Sequence, residues 1–350
     1  MKIEGLLLIL ILIGGCIQNT EKESPSNQDG ETLPYRIKFE GKNIVYGQTN
    51  SKIEEDDKEG FIPTINATSM EIDKGDITKL SSQYKEFGKN FQFSKNENQQ
   101  TYVYVFDVGY GESILIKKGD FEILFDAGRN ETSKKLVSEL QRLGINKIEA
   151  LVITSDDEKR FGGSRSLFEN FPISEIWTNG DELGGTDFQE VSQYAAAYGV
   201  PIRHPEEGDE VEFNGMVFRF LNPQKDRFTQ NKDANSIVVK ITDRQFCLLL
   251  TSNIERGIEN KLVGSGGLRC EVLKIAKYGS ASSTDLTFLV AVEPKDALLS
   301  VGPNKDGYPN PTSIEKMKVL NIKLYRTDLD GNIIIQSNGT TYQIRTEKRG

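Results

Sequence analysis

From residue 101 onward, short apolar runs alternate with segments whose apolar residues recur at helical spacing. β-Branched and aromatic residues at 101–106 predict a strand. Apolar positions spaced along 131–143, followed by Gly144, predict a helix with a glycine cap. The alternation continues to the C-terminus, where turn residues at 330–332 and 338–339 separate short strands. Strands that lead helices in two successive halves predict an α/β fold with two mixed sheets and helices outside.

The first hundred residues follow a different pattern. Residues 6–13 form an unbroken apolar run that is short for a membrane span and typical of a signal-peptide core. Gly14 and Gly15 precede Cys16, as in the lipobox of secreted lipoproteins, so Cys16 is predicted to carry a lipid that anchors the chain at the extracytoplasmic face of the cell membrane. An uncleaved signal anchor is the alternative. The predicted segments are a signal peptide and lipobox at 1–16, a flexible tether at 17–34, a small accessory region at 35–100 and an α/β domain at 101–350.

Charge and composition restrict the chemistry of the domain. The formal net charge of −9 disfavours indiscriminate nucleic-acid binding, although it is compatible with a local basic patch. His204 is the single histidine of the chain and is predicted to lie in a surface loop. Three cysteines are too few for a disulfide scaffold. Cys247 and Cys270 are therefore either buried thiols or, outside the cell, a disulfide.

Several short motifs of the domain are shared with a known family. Residues 107–113 read Asp-Val-Gly-Tyr-Gly-Glu-Ser, Asp126 opens an Asp-Ala-Gly triplet, residues 277–280 read Lys-Tyr-Gly-Ser, and residues 300–302 read Ser-Val-Gly. These motifs resemble the metallo-β-lactamase superfamily and are most similar to the hydrolase domain of its ComEC-like secreted branch. The resemblance starts near residue 101, and it implies a four-layer αββα sandwich to which the N-terminal residues add a small extension.

The resemblance also shows that the metal ligands of the family are replaced. The family's His-x-His-x-Asp-His loop corresponds to residues 155–160, so its ligand positions hold Ser155, Asp157, Lys159 and Arg160. Its later ligands fall on Asn253, Lys277, Tyr278 and Tyr308. Zinc binds neutral imidazoles, thiolates and carboxylates, and in this set only Asp157 supplies such a donor. We therefore predict no conventional di-zinc centre and no cofactor.

We hypothesise that cationic side chains substitute for the metals. Lys159, Arg160 and Lys277 are predicted to pair with Asp107, Asp126 and Asp157, which the family keeps near its site. The predicted degenerate site consists of Asp107, Asp126, Ser155, Asp157, Lys159, Arg160, Asn253, Lys277, Tyr278 and Ser280. None of them is assigned as catalytic, although Ser155 with Lys159, or Ser280 with Lys277, would have the composition of a nucleophile and base pair.

Three functions follow from this sequence. The leading one is non-enzymatic: the domain acts in binding or assembly at the outer membrane face, with an unknown protein or an anionic ligand as partner. The resemblance implies the second, a divergent hydrolase that acts on phosphodiesters or nucleic acid. The third is a small-anion receptor. A site closed by ion pairs favours the first function, whereas an open basic cleft favours ligand binding.

Overall fold

The computed structural model describes residues 99–181, 188–224 and 231–348, together with the backbone of two short strands near the N-terminus. These strands, β1 (Ile37–Phe39) and β2 (Lys42–Ile44), pair in antiparallel register, as the alternating pattern there predicts. The chain divides into two compact units, residues 1–91 and 92–350. The predicted signal peptide, lipobox, tether and most of the accessory region lie outside the described residues. No helix in the described part is both long and apolar enough to cross a membrane.

The first sheet of the domain has eight strands in the order β17-β16-β3-β4-β5-β6-β7-β8. Its first part is an antiparallel meander, and from β5 onward the strands run parallel. Every residue of β5 and β6 is buried, because both faces of the sheet are covered at its centre. The strands are β3 Thr101–Val105, β4 Ile114–Lys118, β5 Phe121–Phe125, β6 Ile148–Ile153, β7 Ile173–Thr178, β8 Ile202–Arg203, β16 Ile333–Ser337 and β17 Tyr342–Thr346.

The second sheet has seven strands in the order β15-β14-β13-β12-β11-β10-β9. It too changes from antiparallel to parallel pairing, at the pair formed by β12 and β13. In each sheet, therefore, a parallel half brings the carboxyl ends of consecutive strands to one edge. The strands are β9 Glu210–Phe213, β10 Met216–Asn222, β11 Val238–Asp243, β12 Phe246–Leu250, β13 Val272–Lys274, β14 Asp296–Leu299 and β15 Lys323–Arg326.

Helices connect the parallel strands, and the predicted helical periodicity reappears in them. The last long helix begins at Pro311, and Asn310 caps it by accepting a hydrogen bond from the backbone N–H of Thr312. The helices are α1 Ser133–Arg142, α2 Glu158–Phe161, α3 Ser164–Asn170, α4 Gln189–Tyr198, α5 Arg256–Ser265, α6 Leu286–Val292, α7 Pro311–Val319 and α8 Thr327–Asp330.

Apolar side chains of the two sheets meet in one core. Trp177 packs against Phe220 edge to face, and Phe125 stacks on Phe218 across the same interior. A second cluster lies on the opposite face of the second sheet, where Leu249 and Leu273 pack beneath α5, α6 and α7. Two mixed sheets between outer helices confirm the predicted α/β class and the four-layer αββα architecture.

Cys247 and Cys270 are joined by a disulfide. The bond connects β12 to the segment immediately before β13, and both residues are buried in the cluster beneath the outer helices. Of the two states that the sequence left open, the structure has the oxidised one. The disulfide closes a loop between positions 23 apart in sequence, so it restricts the unfolded chain.

Replacing both cysteines with Ala is expected to lower the free energy of unfolding by about 3 kcal/mol, from the loop-closure entropy that the crosslink removes. Urea unfolding of wild type and of Cys247→Ala/Cys270→Ala measures this difference. A reductant should lower the free energy of unfolding of the wild type to about that of the variant. It should leave the free energy of unfolding of the variant unchanged. Equal stabilities with and without reductant would contradict a structural role for the crosslink.

Candidate functional site

The site lies where the parallel strands of both sheets end. Asp126 follows β5 and Thr154 follows β6 in the first sheet, and Asn253 comes just after β12 in the second, so polar side chains from both sheets leave strand ends here. Thr154 connects the two sheets: its hydroxyl lies 2.7 Å from that of Ser252, and its carbonyl accepts a hydrogen bond from the second sheet. Strand ends of this kind are the usual place for functional groups in α/β folds.

The short helix α2 brings Arg160 into this edge. Asp157 caps the helix by accepting a hydrogen bond from the N–H of Lys159, and the Arg160 carbonyl accepts one from the N–H of Ala127. A Cβ atom on Gly163 would lie 2.2 Å from the Ala127 carbonyl oxygen, so only glycine lets the chain dock this closely beside Asp126. The sequence did not predict this helix, because the stretch contains too few apolar residues to show a helical period.

The Arg160 guanidinium is at the centre of the site and is 0% exposed. Its Nη1 atom lies 2.5 Å from Asp126 Oδ2, 2.9 Å from Glu112 Oε1 and 3.2 Å from Thr154 Oγ1. On its other side, Nε and Nη2 donate to Asn253 Oδ1 at 3.0 and 2.8 Å. The pairing of Arg160 with Asp126 agrees with the sequence-based hypothesis.

A second buried cation, Lys274, completes the centre. Glu112 bridges the two cations, with Oε1 toward Arg160 and Oε2 2.5 Å from Lys274 Nζ, and the Lys274 side chain is also 0% exposed. Sequence reasoning assigned no role to Glu112 or Lys274. A lysine at the end of the otherwise apolar strand β13 was the signal that pointed to it, because a buried lysine needs a partner.

The four buried charged groups balance one another. Burial disfavours ionised Glu112, but Arg160 and Lys274 hold the pKa of this carboxyl below its ordinary value. Burial raises the pKa of Asp126 to about 6, and Arg160 opposes this rise. Burial lowers the pKa of the Lys274 ammonium, and Glu112 acts in the opposite direction. Two cations and two carboxylates leave no surplus positive charge that would attract an anion.

A partly exposed layer covers the buried centre. Asp157 accepts hydrogen bonds from Asn253 Nδ2 and from the Tyr278 hydroxyl, both at 3.0 Å, and its other oxygen lies 3.2 Å from Lys159 Nζ. The Lys159 ammonium lies 5.2 Å from the centre of the Tyr110 ring. Tyr110 packs edge to face on Tyr278 and is tilted against Tyr308. We call Tyr110, Tyr278 and Tyr308 the tyrosine rim.

The structure corrects two of the predicted ion pairs. Lys277 Nζ contacts Asp233 and Glu255, at 2.6 and 2.5 Å, rather than one of the three predicted aspartates. Asp107 lies near Lys135 Nζ at 3.6 Å and Lys348 Nζ at 3.9 Å. Both predictions were wrong because similarity to the family's motifs placed these residues in the right loops but did not determine the directions of their side chains.

The two candidate serines are not paired with the neighbouring lysines. Ser155 Oγ accepts a weak hydrogen bond of 3.4 Å from Asn253, whereas Lys159 is held by Asp157. Ser280 Oγ lies 2.9 Å from the hydroxyl of Ser282. A serine nucleophile needs a base within hydrogen-bond reach, so this geometry gives no support to a serine–lysine mechanism.

Strained backbone surrounds the centre. Asp126, Ser252, Lys277 and Tyr278 adopt left-handed conformations, with φ between 46° and 61°. Each such residue costs about 1–3 kcal/mol, and the conformation persists only where surrounding contacts impose it. The ion pairs and hydrogen bonds of the site are contacts of this kind.

The residues at the site do not fit the zinc ions that the family resemblance implies. A guanidinium, which has no lone pair to donate, fills the space between Asp126 and Asn253. Among the residues that the structure describes, no group of three or more His, Cys, Asp or Glu side chains is arranged to hold a metal. His204 contacts Thr178 at the end of β7, and its ring nitrogen lies 3.0 Å from that hydroxyl. The donor set therefore gives no basis for a metal-activated water.

Comparison with known proteins agrees with this fold. The two-sheet αββα arrangement is that of the metallo-β-lactamase type. Over 234 residues the chain is 28% identical to the competence protein ComA of Neisseria gonorrhoeae, covering 65% of this chain and 31% of that protein. It is 25% identical over 202 residues to the ComE operon protein 3 of Bacillus subtilis, covering 57% and 26%. The chain is therefore ComEC-like, and it spans about a third or less of these relatives.

Solved structures and family models add little to this assignment. The metallo-β-lactamase fold protein YhfI from Bacillus subtilis matches 68% of this chain and 100% of its own, with 11% identity and a TM-score of 0.49. CmlA, a diiron β-hydroxylase from Streptomyces venezuelae, matches 74% of this chain and 60% of its own, with 10% identity and a TM-score of 0.45. No protein-family model matches the chain. Both scores are below 0.5, so the sheet order and the sequence relatives carry the assignment.

Proposed function

We propose that this chain is a metal-free binding or assembly component of a DNA-uptake-related system, anchored at the outer face of the membrane through Cys16. One observation carries the proposal. The Arg160 guanidinium is completely buried and paired with Asp126 and Glu112, at a position where the family that the sequence resembles has a metal ligand. A guanidinium in this position supplies no lone pair to a metal ion, so the residues present do not favour metal-dependent hydrolysis of a phosphodiester.

The closed charge network also argues against a small-anion receptor. An anion site needs an accessible cation with unused hydrogen-bond donors. Arg160 and Lys274 are buried and bound to carboxylates, and Lys159 and Lys277 also have acidic partners. The partly exposed rings of Tyr110 and Tyr308 are the more suitable contact surface, because tyrosines combine apolar area with a polar tip and are enriched at protein interfaces.

Two features support the extracytoplasmic location. The lipobox-like sequence before Cys16 fits a lipid anchor, which would hold the domain near the membrane. The disulfide between Cys247 and Cys270 fits the same location, since disulfides persist mainly in oxidising compartments. Radiolabelled palmitate incorporation into wild type, and its loss in Cys16→Ser, tests the anchor directly.

The metal content of the soluble chain from residue 34 onward tests the proposed function. The protein should be purified without chelators from medium supplied with zinc and manganese, and its metals measured by inductively coupled plasma mass spectrometry. We expect folded protein with metal far below one ion per chain, because the site already contains its own cations. The same preparation should leave labelled single- and double-stranded DNA intact. Stoichiometric metal, or cleavage that a chelator abolishes, would identify a hydrolase instead.

A further inference from the structure

The strand β17 forms one edge of the first sheet. The carbonyl of Thr341 and the N–H of Glu347 both bond to residues that flank β16, and the register between them is unbroken. In an antiparallel pair, residues alternate between facing the partner strand and facing away from it. The backbone N–H and C=O groups of Tyr342, Ile344 and Thr346 therefore point away from β16. Among the residues that the structure describes, no strand pairs with this side of β17.

The other three edges of the two large sheets have features that discourage pairing with a further strand. The strand β8 has two residues, β9 exposes Glu210 and Glu212, and β15 begins and ends with a basic residue. Short strands and charged side chains are the usual protection of such edges. In contrast, β17 has five residues without a proline, a bulge or a charge on its inner face, where Tyr342 and Ile344 are half-buried against the core.

Arg345 indicates the chemistry of a strand that would fit this edge. Its side chain is exposed on the outer face of β17 and has no ion-pair partner within the described residues. An antiparallel strand would place one side chain directly opposite Arg345, with about 5 Å between the Cβ atoms, where a carboxylate would pair with the guanidinium. A second copy of this chain fits less well. Pairing of two copies about Ile344 would place Gln343 opposite each Arg345, so both guanidiniums would lack a carboxylate.

We infer that β17 takes an additional antiparallel strand from a partner protein, an extended segment with apolar residues at alternate positions and an acidic residue opposite Arg345. The inference rests on the proposed binding or assembly function and adds a contact surface to the tyrosine rim. Backbone hydrogen bonds would supply the affinity, and contacts with Tyr342, Ile344 and Arg345 would supply the specificity. The sheet is already an antiparallel meander at this end, so the added strand continues its pattern.

The inference is tested by selecting peptides that bind the full-length chain, held in a mild detergent, from a phage-displayed library of random ten-residue peptides. We expect the enriched sequences to place β-branched or aromatic residues at alternate positions, with Asp or Glu between two of them. In isotope-edited infrared spectra, a selected peptide with ¹³C-labelled carbonyls should show the amide I band of a strand when it is bound and not when it is free.

Two substitutions disturb the edge in different ways. Thr346→Pro removes one outward N–H and leaves the hydrogen bonds to β16 in place, so it should weaken binding of a selected peptide by about tenfold. Arg345→Glu reverses the charge and should weaken binding of the same peptide by a similar factor. A charge-swapped peptide, with Lys in place of its acid, should then bind Arg345→Glu. The matched control Arg165→Glu should change nothing, because Arg165 is exposed on α3 and pairs with Glu169.

Each contrary result has a distinct meaning. A selection that enriches no peptide, or a peptide that binds Arg345→Glu as tightly as wild type, would overturn the inference. A wild-type dimer that Thr346→Pro dissociates would also overturn it, because a second copy would then occupy the edge. If Thr346→Pro does not fold, Arg345→Glu and the charge-swapped peptide decide the question. Stoichiometric bound metal, which is measured separately, would instead refute the proposed function.

Discussion

Arg160→Met is expected to lower the free energy of unfolding by about 3–5 kcal/mol, the range for breaking a buried ion pair by removing one partner. Methionine replaces most of the arginine volume, so the loss comes from charge rather than from a cavity. Asp126 and Glu112 would remain buried, and Asp126 would lose the cation that lies 2.5 Å from it. Asn253 Oδ1 would lose both of its arginine donors.

Urea unfolding of the purified domain, followed by circular dichroism and tryptophan fluorescence, measures the effect. Trp177 is the single tryptophan and lies between the two sheets, so its fluorescence reports the core. Arg165→Met is the matched control and should change stability by less than about 0.5 kcal/mol, because its ion pair is exposed. An Arg160→Met variant as stable as this control would show that the buried network is not needed to hold the fold.

Lys274→Met should cost about 3 kcal/mol by the same mechanism, because it leaves the buried centre with one excess negative charge. The companion substitution Glu112→Gln should also destabilise, since two cations then face Asp126 alone. The double variant Lys274→Met/Glu112→Gln restores neutrality, with Arg160 paired to Asp126. We expect it to lie within about 1 kcal/mol of wild type, because replacing both partners of a buried pair is often nearly neutral.

The four proteins form a double-mutant cycle whose coupling energy isolates the interaction between Lys274 and Glu112. The measurement is again urea unfolding at neutral pH. Costs of the two single variants that simply add in the double variant would refute charge balance as the organising property of the site. A strong coupling would support it.

These variants also separate stability from function. A metal-free binding component should keep its partner contacts when the buried charges are neutralised in pairs, provided that the tyrosine rim stays in place. Tyr278 touches both layers, because its hydroxyl bonds Asp157 and its ring lies 5.4 Å from the Arg160 guanidinium. Disturbing Arg160 alone should therefore also loosen the rim, whereas the neutral double variant at Lys274 and Glu112 should not.

The strands and helices could be predicted from the sequence, since alternating and helical periodicities depend on local burial alone. The sequence also predicted that the metal ligands of the family are replaced, because this prediction depends only on which residue types stand at the motif positions. The short helix α2 was missed, and so were the roles of Glu112 and Lys274. Each of these features depends on contacts between segments far apart in sequence, such as the 162 positions that separate Glu112 from Lys274.

The order of residues alone thus predicted an α/β domain of metallo-β-lactamase type, which the structure confirms, and a motif without the usual zinc ligands, which stays a prediction. Which charges neutralise one another was decided only by the tertiary structure. Lys277 stands at a ligand position of the family motif, yet it points to Asp233 and Glu255. Lys274, three residues earlier, enters the buried centre. The physical reason is that a side chain's partner depends on the direction in which its strand end or loop projects it, and packing of the two sheets against each other sets that direction.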